Sequence, residues 1–274
     1  MKYFFWMILF APSVALSWQH TYEFTFKNNP YSVTLTYDDS YIDDCVYNIN
    51  QWNQSDGAKS TFYNKDISKY IEESPCKKVI KDLHCKIEAQ YKKINQPELW
   101  DDINFRIAFV GSAIQYSDDL ETNGKQEFFQ TPFQTIYSRK GDCEDTSFLL
   151  SMLFSFQGYN SILIQTTDHQ AVCVDPFSRV LWMAKTDSIM ESMKHYDFVR
   201  YSEGDYYYCE STNPKDGNCY VMGQWPDFAK GKLELIEFVG LYHVQDNAMT
   251  QEEYVEFKKQ LRKNGGIPLL IGNR

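Results

Sequence analysis

Residues 141–158 read Gly-Asp-Cys-Glu-Asp-Thr-Ser-Phe-Leu-Leu-Ser-Met-Leu-Phe-Ser-Phe-Gln-Gly, and this stretch decides the fold. Gly141 breaks the preceding segment, and Asp142 carries the short acceptor side chain that caps a helix N-terminus. Glu144 and Asp145 fall in the first turn, where acidic side chains complement the helix dipole. Phe148, Leu149, Leu150, Met152, Leu153, Phe154 and Phe156 then make the helix apolar nearly all round, hence central and buried. Gly158 ends it. Downstream, residues 161–166 and 170–174 have strand character, with His169 at the start of the second. A third strand over 205–210 and a fourth over 220–222 follow. One buried helix followed by an antiparallel sheet is α+β.

Upstream, Tyr22, Phe24 and Phe26 alternate with polar residues. Val33, Leu35 and Tyr37 repeat the period after Asn28-Asn29-Pro30, which predicts an N-terminal β-hairpin. Residues 38–75 are polar and poorly periodic. Asp38-Asp39 and Asp43-Asp44 read there as a solvated acidic loop without EF-hand spacing. Residues 77–93 predict a helix with Val79, Ile80, Leu83, Ile87 and Tyr91 on one stripe. A second helical pattern past Pro97 carries Leu99, Trp100, Ile103, Ile107, Val110 and Ile114. The expected organisation is a leader over 1–17, an N-terminal strand and helix extension over 18–95, a catalytic core over 96–240 and a C-terminal helical segment over 241–274.

The chain has 274 residues, 43% of them hydrophobic, with 19 Phe, 20 Tyr and 6 Trp, a composition that excludes disorder as its main state. A net charge of −10 argues against nucleic acid as a partner and against an electrostatic grip on anionic lipid. Lys2, the apolar run from Tyr3 to Ala11, and Ala15-Leu16-Ser17 before Trp18 have the build of a secretory leader. An uncleaved anchor is the alternative. No second run of 18 apolar residues follows, so no integral membrane segment is expected after cleavage.

Export changes how the seven cysteines are read, because thiols tend to pair in an oxidising compartment and an odd count leaves one over. Cys76 and Cys85 should not pair with each other: on an unbroken helix they stand ~13 Å apart. Cys209 and Cys219 flank a loop dense in turn residues, and a disulfide across that hairpin is expected. Cys173 shares strand parity with His169 and is expected to be a buried core thiol.

Cys143 stands in the first turn of the buried helix, where unsatisfied backbone N–H groups stabilise a thiolate and can receive an oxyanion. Asp142, Glu144 and Asp145 oppose that effect, so a positive partner is required, and His169 is the candidate. A third group must orient the imidazole, and Asp175 and Glu210 compete for the role. Asp175 is six residues along the same strand, ~20 Å away at ~3.3 Å per residue, so Glu210 on the next strand is the more natural neighbour. His84 and Cys85 are adjacent on a helix and face different ways, and there is no Cys-x-x-Cys, so no metal site is expected.

Tyr116-Ser117-Asp118, residues 131–136 (Thr-Pro-Phe-Gln-Thr-Ile) and Gly141-Asp142-Cys143-Glu144-Asp145 resemble the nucleophile region of transglutaminase-like proteins. The similarity runs through His169-Gln170-Ala171-Val172 to Tyr208-Cys209-Glu210-Ser211-Thr212 and Met222-Gly223-Gln224-Trp225-Pro226. It is closest to the bacterial and archaeal branch with a Gly-Asp-Cys-Glu-Asp motif, covers about residues 100 to 226, and departs from the family at Ser211, where Thr is usual. The resemblance implies a papain-like core with Cys143 as nucleophile, His169 as general base and acid, and Glu210 as orienting acid. It also implies an oxyanion donor besides the Cys143 N–H, for which Gln115 is the candidate. It implies a protein or peptide substrate and no cofactor. Two functions are compatible with it: thiol-dependent acyl transfer on amide bonds, or a non-catalytic module that binds a surface polymer or partner protein.

Overall fold

An N-terminal hairpin, β1 (Ser17–Phe26) and β2 (Asn29–Asp38), buries Tyr22, Phe24, Phe26, Val33 and Leu35 on one face. Its two-residue turn, Lys27-Asn28, has φ of 49° and 61°, the left-handed pair that matches the twist of a tight hairpin. The computed structural model describes residues 17–54, 76–123, 128–165, 169–178, 193, 195–201, 204–212, 219–229 and 234–239. The first sixteen residues of the expected leader and the whole expected C-terminal segment lie outside these.

Residues 39–54 correct the sequence reading, because they form a helix, α1 (Asp39–Gln54). Among its described side chains Ile42, Cys45 and Ile49 are buried, with Tyr41 and Val46 partly so, and a narrow stripe on a polar helix left little periodicity to detect. Cys45 bonds to Cys76, at a Cα–Cα distance of 5.6 Å, and so fastens α1 to the start of α2 (Lys77–Tyr91). α2 buries Val79, Ile80, Leu83 and Ile87 of the predicted stripe, with Tyr91 half-buried at its end.

Helix α3 (Asp101–Ala113) is buried along most of its length and joins the hairpin to the rest. Phe24 meets Phe105 and Phe109 edge-on at 5.0 and 5.4 Å, and the Tyr22 hydroxyl donates to the Ile136 carbonyl at 2.8 Å. One hydrophobic cluster therefore runs from the hairpin through α2 and α3 into the core. Arg106 is fully buried, paired with Asp102 on its own helix and with Glu88 of α2 at 2.8 Å. Gln157 and Tyr159 donate to the same Asp102 carboxylate, which ties α3 to the far end of the helix that begins at Cys143.

Two short segments then lead into that helix. β3 (Gln115–Tyr116) pairs in parallel with β4 (Lys140–Gly141); between them lie α4 (Asp119–Asn123) and α5 (Pro132–Ser138). Thr131 and Gln134 form a capping box at the start of α5. α6 (Cys143–Gln157) follows, capped by Asp142 and closed by Gly158 at φ 90°. Leu149, Leu150, Met152, Leu153 and Phe154 are all buried, each stabilising the fold by roughly 1.5–3 kcal/mol.

The sheet has five antiparallel strands in the order β7 (Phe198–Tyr201), β8 (Gly204–Cys209), β6 (Gln170–Asp175), β5 (Asn160–Gln165), β9 (Glu234–Val239). Val172, Val174, Tyr207 and Cys209 face the α6 side. Ile162, Ile164, Ala171, Cys173, Tyr206 and Tyr208 face the other, where Ala229 and Trp225 cover them. The architecture is α+β. Residues 220–222 are not the expected strand: their segment meets β8 mainly through Gly223, whose N–H donates to the Tyr208 carbonyl at 2.7 Å. Among the described residues no helix is long and apolar enough to cross a membrane.

Candidate active site

Gly141 sets the entry to α6. A Cβ at this position would come within 2.7 Å of the Asp145 Cβ, so the chain approaches its own first turn as closely as glycine allows. Asp145 is fully buried and accepts from the Gln130 backbone N–H at 2.7 Å and from Gln130 Nε2 at 2.5 Å. Burial pushes the Asp145 carboxyl up to about 7 against the pull of those two hydrogen bonds. Burial and then the neighbouring acids push Asp142 well above the usual carboxylate range. Two acids of this turn, Asp142 and Asp145, are thus pushed toward their neutral form.

Cys143 is half-buried at the first position of α6. Its thiol donates to Glu144 Oε2 at 2.7 Å and accepts from the Gln170 backbone N–H at 3.5 Å. Burial first, then the Glu144 carboxylate, hold the thiol well above its ordinary range; the Gln170 N–H acts the other way. The contact with Gln170 places the sulfur beside the residue that follows His169.

β6 and β8 bring His169 and Glu210 together. Val172 pairs with Cys209 and Cys173 with Tyr208, so Glu210 shares a sheet face with Ala171, and His169 has the parity of Ala171. The His169 Nε2 lies 2.9 Å from Glu210 Oε2. The same oxygen accepts from the Tyr208 hydroxyl at 2.6 Å, while Oε1 accepts from the Thr212 N–H at 2.9 Å and the Thr212 hydroxyl at 2.7 Å. Burial alone would raise the Glu210 carboxyl, but the bond to His169 and its charge, with those from Tyr208 and Thr212, bring it below its ordinary value. Nε2 of His169 is thus engaged with Glu210.

Other candidates are placed differently. Asp175 ends β6, opposite Asn160, and accepts from the Phe177 N–H at 3.0 Å. It shapes the turn that follows the strand and stands at the other end of β6 from His169. Gln115 is exposed on β3, whose partner strand β4 leads directly into Asp142 and Cys143. Its neighbour Tyr116 is the group that feels the thiol: burial, then the Cys143, Asp118, Asp142 and Glu144 charges, keep its phenol protonated.

The disulfide between Cys209 and Cys219 is not formed; both cysteines are free, and the bridge of this molecule is Cys45–Cys76. Cys209 is fully buried on the α6 side of β8. The Cys219 sulfur turns to α3 instead, 3.2 Å from Ser112 Oγ and 3.7 Å from the Ala108 carbonyl. Cys173 is fully buried. Among the described residues no group of three or more His, Cys, Asp or Glu is arranged to hold a metal ion.

Several residues of the site lay beyond the sequence reading. Tyr208 and Thr212 hold Glu210, and their spacing of two on either side was the available signal. Ser211 lies 3.0 Å from Thr146 Oγ1 and 3.3 Å from Ser147 Oγ, and so ties the end of β8 to α6. Trp225 stacks on Tyr208 at 4.7 Å. Phe228, 62% exposed, presents its edge to the His169 ring at 5.5 Å. No model of a known protein family matches the chain, and no curated protein matches it either.

Proposed function

We propose that this chain is an exported thiol-dependent acyl-transfer enzyme with a papain-like, transglutaminase-like core, acting on amide bonds of proteins or peptides. The observation that carries the reading is the buried Glu210 carboxylate. It meets His169 Nε2 at 2.9 Å and three further donors, and the backbone N–H of Gln170, the residue after His169, reaches the half-buried Cys143 thiol at a helix N-terminus at 3.5 Å. So many bonds on one carboxylate fix an imidazole in place and orientation, as a general base requires. Export rests on the leader-like residues 1–17, and a disulfide between Cys45 and Cys76 accords with an oxidising compartment.

In this reading His169 Nδ1 takes the Cys143 proton, and Glu210 stabilises the imidazolium and fixes the tautomer. The thiolate attacks the amide carbon, a C–S bond forms, and the carbonyl oxygen becomes an oxyanion. The Cys143 backbone N–H at the start of α6 receives that charge, with Gln115 or Tyr116 on β3 as the second donor. Collapse breaks the C–N bond, and His169 returns the proton to the departing amine. Water or a second amine, deprotonated by His169, then cleaves the thioester and releases Cys143.

The test is turnover of peptide amides with water and with amines as acceptors. Cys143→Ala and His169→Ala are expected to abolish it while circular dichroism remains unchanged. Turnover that survives both substitutions contradicts the assignment. One observation favours the second reading, a non-catalytic binding module: Glu144 holds the Cys143 proton. That module would show ordinary thiol pH-dependence, unchanged by His169→Ala.

A further inference from the structure

Glu144 has no role in the chemistry above, yet its Oε2 lies 2.7 Å from the nucleophilic sulfur. It is half-buried in the first turn of α6, where the helix dipole favours an anion. Among the described residues it has no ion pair. The two cations nearest in the chain are turned elsewhere. Lys140 Nζ lies 3.5 Å from Glu121, and the Arg139 charge falls on His20 and Tyr22 beneath the hairpin. The resting thiol is the partner this carboxylate has, and a thiol that donates to a carboxylate is slow to become a nucleophile.

We infer that Glu144 is a specificity residue that binds a cationic group, an ammonium or guanidinium, carried by the amide substrate next to its scissile bond. The inference rests on the thiol-enzyme reading above and names the class of substrate that reading leaves open. A cation arriving at Oε2 displaces the S–H donor. The sulfur is then released toward His169, its proton passes to Nδ1, and the carboxylate keeps a counter-charge throughout. Neutral or anionic substrates must break that contact without a cation's help and react more slowly. Selectivity and activation are one event.

Charge-matched thiol reagents test this without knowledge of the natural substrate. Methanethiosulfonates carrying ethyltrimethylammonium or ethylsulfonate differ in charge and share one reaction: the thiolate forms a mixed disulfide and methanesulfinate leaves. A quaternary ammonium cannot act as an acyl acceptor, so the readout is charge recognition alone. Rates are measured at Cys143 by peptide mapping, in a Cys85→Ser background that removes the exposed thiol on α2.

Relative to free cysteine, the cationic reagent should be favoured by roughly tenfold or more, and Glu144→Gln should cut that preference at least about fivefold. Glu144→Asp, which keeps the charge, should retain most of it. A preference equal to that of free cysteine, or one unchanged by Glu144→Gln, overturns the inference and leaves the thiol-enzyme reading standing. No modification of Cys143 by either reagent or by iodoacetamide in the native protein overturns both.

Discussion

The Nε2 of His169 and the Oε2 of Glu210 stand 2.9 Å apart, although 41 residues separate them in the chain. The pairing of β6 with β8 produces this approach, and the carboxylate that makes it is only 1% exposed. Two acids competed for this position, and the geometry separates their consequences. Glu210→Gln is expected to lower kcat/KM for a peptide amide by roughly 10²–10⁴-fold. Asp175→Asn, at the far end of β6, should change it less than about threefold. Both variants are compared at equal folded fraction, and the reverse ranking would contradict the assignment of the acid.

Tyr208→Phe removes one of the two donors to Glu210 Oε2 and leaves the ring stacked on Trp225. The low carboxyl value of Glu210 depends partly on that bond. A group held below its unfolded value adds stability above that value, and the contribution is lost as pH falls through the native one. The acid limb of the Tm-against-pH curve, below about pH 4.3, should therefore move to higher pH in Tyr208→Phe. Thermal melts between pH 3 and 7 read this directly, and coincident curves would contradict it.

The first turn of α6 has the opposite sign. Asp142 and Asp145 are raised by burial, Asp145 to about 7. The native state keeps protons that the unfolded chain gives up near pH 4, so stability falls as pH rises from about 4 upward. Asp142→Asn keeps the helix cap and removes the charge. It should raise Tm at pH 8 and leave it nearly unchanged at pH 4. Differential scanning calorimetry at the two values is the measurement.

Much of this site was legible in the sequence because its parts announce themselves locally. Asp142 as cap, the all-round apolar helix and Gly158 as stop each reflect a rule that acts within one turn. The choice of Glu210 over Asp175 followed from strand spacing, which sets a residue six along the same strand ~20 Å from His169. The fourth strand and the Cys209–Cys219 bridge failed for a common reason. Both depend on where residues 219–229 go after a turn-rich loop, and that is set by non-local contacts: Cys219 with α3, and Trp225 with Tyr208. Helix α1 was missed because the stripe it buries, Ile42, Cys45 and Ile49 among its described side chains, is narrow on a polar helix. The contact between Glu144 and the thiol is a rotamer choice, which residue spacing does not encode.

The Cys45–Cys76 bridge spans 31 residues and links α1 to α2. Its removal in Cys45→Ser/Cys76→Ser should cost about 3–4 kcal/mol in urea unfolding. Non-reducing peptide maps should show this pair joined and Cys209 and Cys219 as free thiols. A map with Cys209 joined to Cys219 would contradict the placement of Cys219 against α3.

The central claim, that Cys143 and His169 act as one thiol–imidazole unit, is tested most directly by the iodoacetamide rate at Cys143 as a function of pH in the unmodified chain and in His169→Ala. An imidazole that takes the thiol proton maintains alkylation on the acid side of the free-thiol range. The unmodified chain should therefore react at pH 6 at least about tenfold faster than His169→Ala, and the two profiles should converge above pH 9. Profiles that coincide across the whole range would contradict the claim.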